Sequence, residues 1–588
     1  MAMKLLFELD GQSKGTLTNG ALALAAVTTV TGCGAQGGSS EAPQQHQDSG
    51  GMEVIPRRDD GPRPSFPNTI TSISFENDAG GVIEVNQVTG TTRVVFNFDG
   101  GTAATSLPVP PISTREERSY DFSGARIGSV VATFHPTPLN LFETHPEETL
   151  AAKRMIWDIG LPVATDDLYE FVGMSRSEAA TLMVNQRMSP EPDAPYPSWI
   201  TQAVPSNDEL RAMSGAERKA RELQVENRRS QVSYWLLDQL TNGTHYVSER
   251  LVLFWHNIFT TSISSTPPEV MLRQHQLYRR LCVGALPEFL KSMSRDPGMV
   301  SYLDSDENVK GAPNENFARE LMELFTFGES STSQAYTEQD IIELSRCFTG
   351  YSLTPNYDYI FRPDLHDVGE KVLFGKTLAA GNSLDVGGDG DLAINLILDR
   401  KVNGKSAVGV YLTKRLWQEC YGDVLPEDEA EIDHIAALWS GPYAWDLKKF
   451  YQAVAASSRA GDARRLGARF RSHLDLFIGY IRPCQIDADF ALLQDIHKFL
   501  AKLEQSLLEP PDVAGWPGGS TWISTKSVLM RNQFLSNISG GNGRVREDLK
   551  PLLKYLLLTV PSLTQPGSFL DASRQARTWI MDPAFQVR

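Results

Sequence analysis

From about His145 onward the apolar residues of this chain recur at helical spacing, run after run, with glycine and proline between the runs. EETLAAKRMIWDIG, SQVSYWLLDQL, SERLVLFWHNIF, LPEFLKSM, NFARELMELF, EQDIIELSRCF, AINLILDR, YLTKRLWQEC, LKKFYQAVAAS, FALLQDIHKFLAKLEQ and REDLKPLLKYLLL each write an apolar stripe along one helix face. A pattern sustained to the C-terminus restricts the chain to a mainly α fold. It shows no fixed internal period, which argues against a solenoid of repeats. The expected architecture is a large irregular helical domain over residues 145–588, with a place to subdivide near 355–395.

Before it the periodicity changes. ITSISF, GVIEVNQV, TTRVVFNF and IGSVVATF cluster or alternate β-branched residues between Gly and Asn turns, which predicts a small β-sandwich-like module over residues 67–138. Residues 34–66 are rich in Gly, Ser, Gln, Pro and Asp and read as a flexible linker. Residues 1–33 combine Lys4 and Lys14, the apolar run ALALAAVTTV and the small residues before Cys33, the features of an export signal. The order V-T-G-C is similar to the lipobox of bacterial lipoproteins, which implies cleavage before Cys33 and lipidation of its thiol. The expectation is an exported protein, lipid-anchored in a bacterial envelope, that meets the membrane only through that anchor. A net charge of −17 disfavours nucleic acid, whose phosphates require clustered Lys and Arg. Cys282, Cys347, Cys420 and Cys484 remain, too widely spaced for a zinc site, and they fit three disulfide pairings or four buried thiols equally well.

Four segments carry groups capable of chemistry. In DSDENVKGAPNE, Asp304, Asp306, Asn308 and Glu315 stand at positions 1, 3, 5 and 12 of a twelve-residue loop, the oxygen spacing of a helix–loop–helix Ca2+ site. Val309 occupies the position that should be glycine, and Asp and Asn also build turns without any ion. On the helix that follows, Asn316, Arg319, Glu320 and Glu323 fall within an arc of roughly 100°, opposite Phe317, Leu321, Leu324 and Phe325. Two carboxylates at i and i+3 can share a proton, and Arg319 can hold an anion; equally, Glu315–Arg319 and Arg319–Glu323 are i,i+4 ion pairs. In FWHNIF, His256 lies on the polar stripe of an otherwise apolar helix beginning near Ser248. In the loop FRPDLHD, His366, Asp367 and Arg362 place a base, a carboxylate and an anion clamp within seven residues. There is no G-x-S-x-G, H-E-x-x-H, Walker A or dinucleotide fingerprint.

Taken in order, ERLVLFWHNIFT, DPGMVSYLD, KGAPNENFARELMELFTFG, YTEQDIIELSRCFTGY, FRPDLHDVGEKVLFG, LTKRLWQEC and LEPPDVAGWPGGSTW resemble the bacterial "domain of unknown function 1800" family over about residues 145–540. The resemblance implies export and brings no settled activity. It marks Asn314, Glu315, Asn316, Arg319, Glu320, Glu323, His366 and Asp367 as the polar positions that matter. The family's F-W-H-N-H-F reads FWHNIF here, so Ile258 replaces a histidine, and Leu281 replaces another in RRLCVGAL. The PPDVAGWPGGSTW loop presents Trp516 and Trp522, which can stack on a substrate or wedge the loop onto helices.

Two functions follow. In one, the chain is a tethered binding or assembly protein of the envelope, working with an exported partner, and the polar stripe is a packed network. In the other it is an extracytoplasmic hydrolase of polymeric material, with metal dependence through Ca2+ as an option. There Glu320, Glu323, Arg319, His256, His366 and Asp367 supply the catalysis, and Asn316, Arg362, Trp516 and Trp522 bind substrate. The hydrolase reading requires these groups to meet around one water-accessible hollow.

Overall fold

The computed structural model describes eight strands between residues 3 and 136, and the chain from 141 to 587 without 143–144, 165–166, 169, 330–333, 380–387, 463–464, 466, 540–544, 546, 559–561 and 565–569. Cys33 and the linker 34–66 lie outside the described residues. The chain divides into two compact units, Met1–Leu150 with Thr165–Gly173, and Ala151–Ala164 with Met174–Arg588.

The first unit holds two four-stranded antiparallel sheets. One has the order β2(Lys14–Leu17), β1(Met3–Leu9), β5(Thr91–Phe98), β6(Thr105–Pro108); the other runs β4(Val82–Asn86), β3(Ile70–Asn77), β8(Ser129–Pro136), β7(Glu116–Asp121). The four segments read as strands from their β-branched residues are β3, β4, β5 and β8. Ile73 stands opposite Phe134 and Phe75 opposite Ala132, with a register shift between Ile70 and Ser72. Strand β1 pairs with β5, from Met3 opposite Phe98 to Phe7 opposite Val94, a pairing that cleavage before Cys33 would remove.

The second unit is mainly helical, as the 3.6-residue pattern requires. The elements that concern the site are α1(Gly215–Asn242), α2(Tyr246–His256), α3(Pro268–Leu281), α4(Leu286–Met293), α5(Pro297–Tyr302), α6(Asn316–Glu323), α7(Glu338–Cys347) and α8(Gly388–Leu398). Their starts follow capping rules. Ser214 and Thr337 form capping boxes with Glu217 and Asp340, and Asp296 accepts the Met299 N–H ahead of Pro297. The segment near 355–395 lies within this unit. It contributes two hairpins, β9(Tyr351–Leu353) with β10(Tyr359–Phe361) and β11(Lys371–Leu373) with β12(Lys376–Leu378), before α8. REDLKPLLKYLLL forms a 3-10 turn at Glu547–Leu552 and then a short helix at Leu553–Leu557. Pro551 sits at the break, where it has no N–H to give. Cys282, Cys347, Cys420 and Cys484 are buried, and none forms a disulfide among the described residues.

Helix α2 differs from its sequence pattern in extent and in the fate of its polar side. It stops at His256, and Asn257 caps it, so Ile258 and Phe259 belong to the turn beyond. The side carrying Glu249 and His256 is as buried as the apolar side. Glu249 receives both terminal nitrogens of Arg279 on α3, Nη2 at 2.6 Å, and the guanidinium lies 5.1 Å from the Trp235 ring of α1. Arg250 bonds Asp475 at 2.5 Å. Behind them Trp255, Phe259, Phe289 and Phe325 interlock, with centroids 4.9 Å apart for Trp255–Phe289 and 5.2 Å for Phe259–Phe325. This aromatic cluster ties α2 and α4 to the residues just past α6. Among the described residues no helix is long and apolar enough to cross a membrane.

Removing one member of a buried, doubly bonded ion pair strands the other charge in a dry interior. Arg279→Leu is therefore expected to destabilise the helical unit by about 3–5 kcal/mol. The double variant Glu249→Leu/Arg279→Leu is expected to cost less than Arg279→Leu alone. Chemical denaturation of the three proteins measures both.

Candidate functional site

Helix α6 sets out the polar stripe that its sequence implies. Phe317, Ala318, Leu321 and Met322 are buried, which leaves Asn316, Arg319, Glu320 and Glu323 on the other side. Arg319 is fully engaged. It bonds Glu315 at 3.0 Å and Glu338 Oε2 on α7 at 3.1 Å, and stands 3.5 Å from Glu323. Its guanidinium is held above its ordinary pKa, chiefly by the Glu338 bond. It is thus spent on carboxylates of its own chain.

Glu320 is the group left unbalanced. Burial raises its carboxyl to about 7, and the negative charges of Glu323 and Asp512 push the same way against Arg319. Tyr302, at the end of α5, is raised by burial and by the charges of Asp512 and Glu320. The charges of three separate segments therefore act on one another here: the end of DPGMVSYLD, the helix NFARELME, and the PPDVAGW loop. Asp512 is oriented by its own turn, since its Oδ1 accepts the Ala514 N–H at 2.9 Å and its carbonyl accepts the Gly515 N–H at 3.2 Å.

The acidic loop before α6 is occupied by structural bonds. Asn308 is buried; its Nδ2 donates to the Ser345 carbonyl at 2.8 Å and its Oδ1 accepts the Asn314 N–H at 3.0 Å. Asp304 takes a left-handed conformation (φ 53°), and its carboxylate accepts Asn316 Nδ2 at 3.4 Å. Glu315 is bonded to Arg319, while Asp306 is exposed. Further bonds from Lys310 N–H to the Leu365 carbonyl and from Gly350 N–H to the Asn308 carbonyl close the loop against the hairpin region. A Ca2+ site of this type needs its oxygens turned inward onto one point. Here Asn308 and Glu315 serve other partners, so the donor set does not fit the ion. Among the described residues no group of three or more His, Cys, Asp or Glu side chains is placed to hold a metal.

His256 sits in a different, sealed network. Its Nε2 faces the Thr261 carbonyl at 3.2 Å, and so carries the hydrogen, while Nδ1 accepts from His275 Nε2 at 3.0 Å. That leaves His275 Nδ1 a buried acceptor without a partner among the described residues. Burial lowers His256 to about 4 and His275 well below its usual value, so neither is charged at neutral pH. Next to them Thr261 donates to Gln274 at 2.6 Å, and Gln274 donates to Asp296, also at 2.6 Å. Burial raises Asp296 to about 6.

His366 and Asp367 are neighbours in sequence only. His366 is buried against Asp389 of α8 (3.0 Å), which also bonds Lys371 at 2.7 Å, and its other nitrogen faces the Thr349 carbonyl at 2.8 Å. Asp367 turns to Arg346, whose Nε it accepts at 2.7 Å, and that guanidinium holds the carboxyl below its ordinary range. Arg362 is exposed, with Asp364 at 3.4 Å. His256, His366 and Asp367 are thus bonded into networks of their own. No hydrogen bond or ion pair among the described residues joins His256, His366 or Asp367 to Glu320, Glu323 or Arg319. Adjacent positions in a loop face opposite ways, and each imidazole is consumed in holding its own segment.

The tryptophan loop lies against helices. Trp516 packs on the His256 ring with centroids 5.9 Å apart, and Trp522 meets His473 edge-on at 5.2 Å. Asp512 and Tyr302 are the members of the site that a reading of helix faces misses. Both stand in segments whose residues are singled out for other reasons, and nothing local shows that a carboxylate in one loop confronts a carboxyl on a distant helix.

A family model described as "Protein of unknown function (DUF1800)" matches residues 154–582. No curated protein and no solved structure matches the chain.

The Glu320 carboxyl binds its proton more tightly in the folded state (about 7) than unfolded (4.5). Its contribution to stability is complete below about pH 4.5 and is lost as pH rises through 7. Glu320→Gln removes that loss. It is expected to raise the stability of the helical unit at pH 8 by about 1–2 kcal/mol, a figure discounted for the solvent reaching this half-buried group, and to leave it unchanged at pH 4. Melting curves at the two pH values measure the difference. Melting is also expected to be the same with added Ca2+ and with chelator, since the 304–315 loop is closed by protein bonds.

Proposed function

The chain belongs to this DUF1800 family, and we propose that it is an exported, lipid-anchored envelope protein whose helical unit carries an acid–base site of hydrolytic type. The observation that carries the reading is the carboxyl of Glu320, half-buried beside Asp512 and Glu323 and raised to about 7. Two carboxyl groups whose environments separate their affinities for a proton are the working parts of many hydrolases, one giving a proton and the other taking one. Glu320 would protonate the leaving group of the scissile bond. Asp512 would take a proton from the attacking water, whose oxygen forms the new bond. Arg319 holds Glu315, Glu323 and Glu338 in place rather than clamping an anion, and the acidic surroundings favour a neutral or cationic substrate. Asp512 is exposed and Glu320 half-buried, so water reaches both carboxyl groups.

The lipobox at Cys33 supports the anchor, and the alternation in β3, β4, β5 and β8 supports a β-sandwich-like module that precedes the helical unit in the sequence. A second reading, a binding or assembly role, is favoured by the closure of His256, His366 and Arg319 into structural bonds. In that case the polar groups fix helix packing, and any partner is another exported protein.

The two separate cleanly. Purified protein incubated with envelope glycan and peptide-linked polymers is expected to release new reducing ends or amines. The rate should fall as pH rises through about 7, where Glu320 loses its proton. Glu320→Gln is expected to abolish release while melting no lower than the parent. Absence of release from every polymer, together with a lower melting temperature for Glu320→Gln, would leave the binding reading.

A further inference from the structure

Asp512 can act with Glu320 only if its loop is held, and the bonds that hold it come from one short stretch just past α2. At the near end the Ile263 N–H donates to the Leu508 carbonyl at 2.8 Å. At the far end the Trp516 N–H donates to Asn257 Oδ1 at 2.7 Å. Asp512 lies midway, on the turn closed by its own bonds to Ala514 and Gly515. The fit at Gly515 is tight. Its φ is +86°, and a Cβ there would stand 2.2 Å from Asn257 Oδ1 and 2.9 Å from the Asn257 carbonyl oxygen. Asn257 is itself fixed as the cap of α2, its N–H returning to the Leu253 carbonyl, and the His256 ring next to it backs the Trp516 indole.

We propose that Asn257 is the positioning residue of the acidic site: by gripping the backbone at Trp516 and seating Gly515, it fixes the turn that carries Asp512 against Glu320. This assignment rests on the acid–base reading of Glu320. It gives FWHN a role that the missing second histidine of the family pattern does not remove, because the amide does the holding. It also gives the glycine of VAGW a reason, since no side chain fits between the loop and the amide.

The test follows the titration of Glu320 by the 13Cδ resonance of its carboxyl in the full chain, assigned by its loss in Glu320→Gln. The midpoint is expected near 7 in the parent. Asp512→Asn removes the smaller of the two like charges that act on Glu320 and is expected to lower it by less than about one pH unit. Asn257→Ala, which releases the loop but leaves Asp512 in place chemically, is expected to lower it by a similar amount. Asn257→Ala combined with Asp512→Asn should go no lower than either alone. Gly515→Ala breaks the same grip from the loop side and is expected to behave as Asn257→Ala does, so it decides the matter should Asn257→Ala fail to fold. A folded Asn257→Ala or Gly515→Ala protein with an unshifted midpoint, where Asp512→Asn does shift it, would overturn the positioning role alone. An unshifted midpoint in Asp512→Asn would instead overturn the pairing of Asp512 with Glu320 on which it rests.

Discussion

The polar side of α2 is largely buried, and the helical unit is organised around satisfying it. Each group on that helix draws in a different element: Glu249 the guanidinium of Arg279 on α3, Arg250 the carboxylate of Asp475, His256 the imidazole of His275, Asn257 the backbone of the 508–516 loop. A buried polar group without a partner costs more than its hydrogen bond gains, so these pairings are obligatory rather than decorative. They fix the orientation of α2 about its own axis, which the surrounding aromatic residues alone would fix less strictly. His275 Nδ1 and Arg279 Nε are exceptions, buried without a hydrogen-bond partner among the described residues.

The acidic site is built on the opposite principle. Its groups are partly wet, and what distinguishes Glu320 is an imbalance of charge. Helix α6 supplies one cation for its two glutamates and for Glu315 just ahead of it, and α7 supplies a further carboxylate, Glu338, which binds that cation most strongly. Glu320 is thus left to the combined effect of burial, Glu323 and Asp512. Its proton affinity is a property of the assembled surface, and holding Asp512 in place is part of producing it. The sealed network below and the open site above are joined through the 508–516 loop, where the Trp516 indole rests on the one and the Asp512 carboxylate belongs to the other.

Much of the architecture is legible in residue order. The stripe on α6, the caps at Ser214, Asp296 and Thr337, and the strands at Ile70–Asn77 and Thr91–Phe98 all follow from local periodicity and capping chemistry, which act over a few residues. The 304–315 loop shows the limit of such reasoning. Its oxygens have the spacing of a Ca2+ loop, but spacing does not say whether Asn308 turns toward an ion or toward the Ser345 carbonyl. The FRPDLHD loop shows another. His366 and Asp367 are adjacent, yet extended backbone sends consecutive side chains to opposite sides, one to Asp389 and the other to Arg346. The polar stripe on α2, which would ordinarily face solvent, instead faces α3, because a second polar surface was available to meet it.

What the sequence determined by itself is the helical character of the chain beyond residue 145, the strands before it, and which side chains share a face of α6. These depend on interactions between near neighbours, whose geometry is set by the backbone repeat. Only the tertiary structure decided that the charge of Asp512 acts on Glu320, and that His256 and His366 are bonded into networks of their own. Those outcomes depend on contacts between segments far apart in the chain, and on the burial and field that exist only once the segments are packed together.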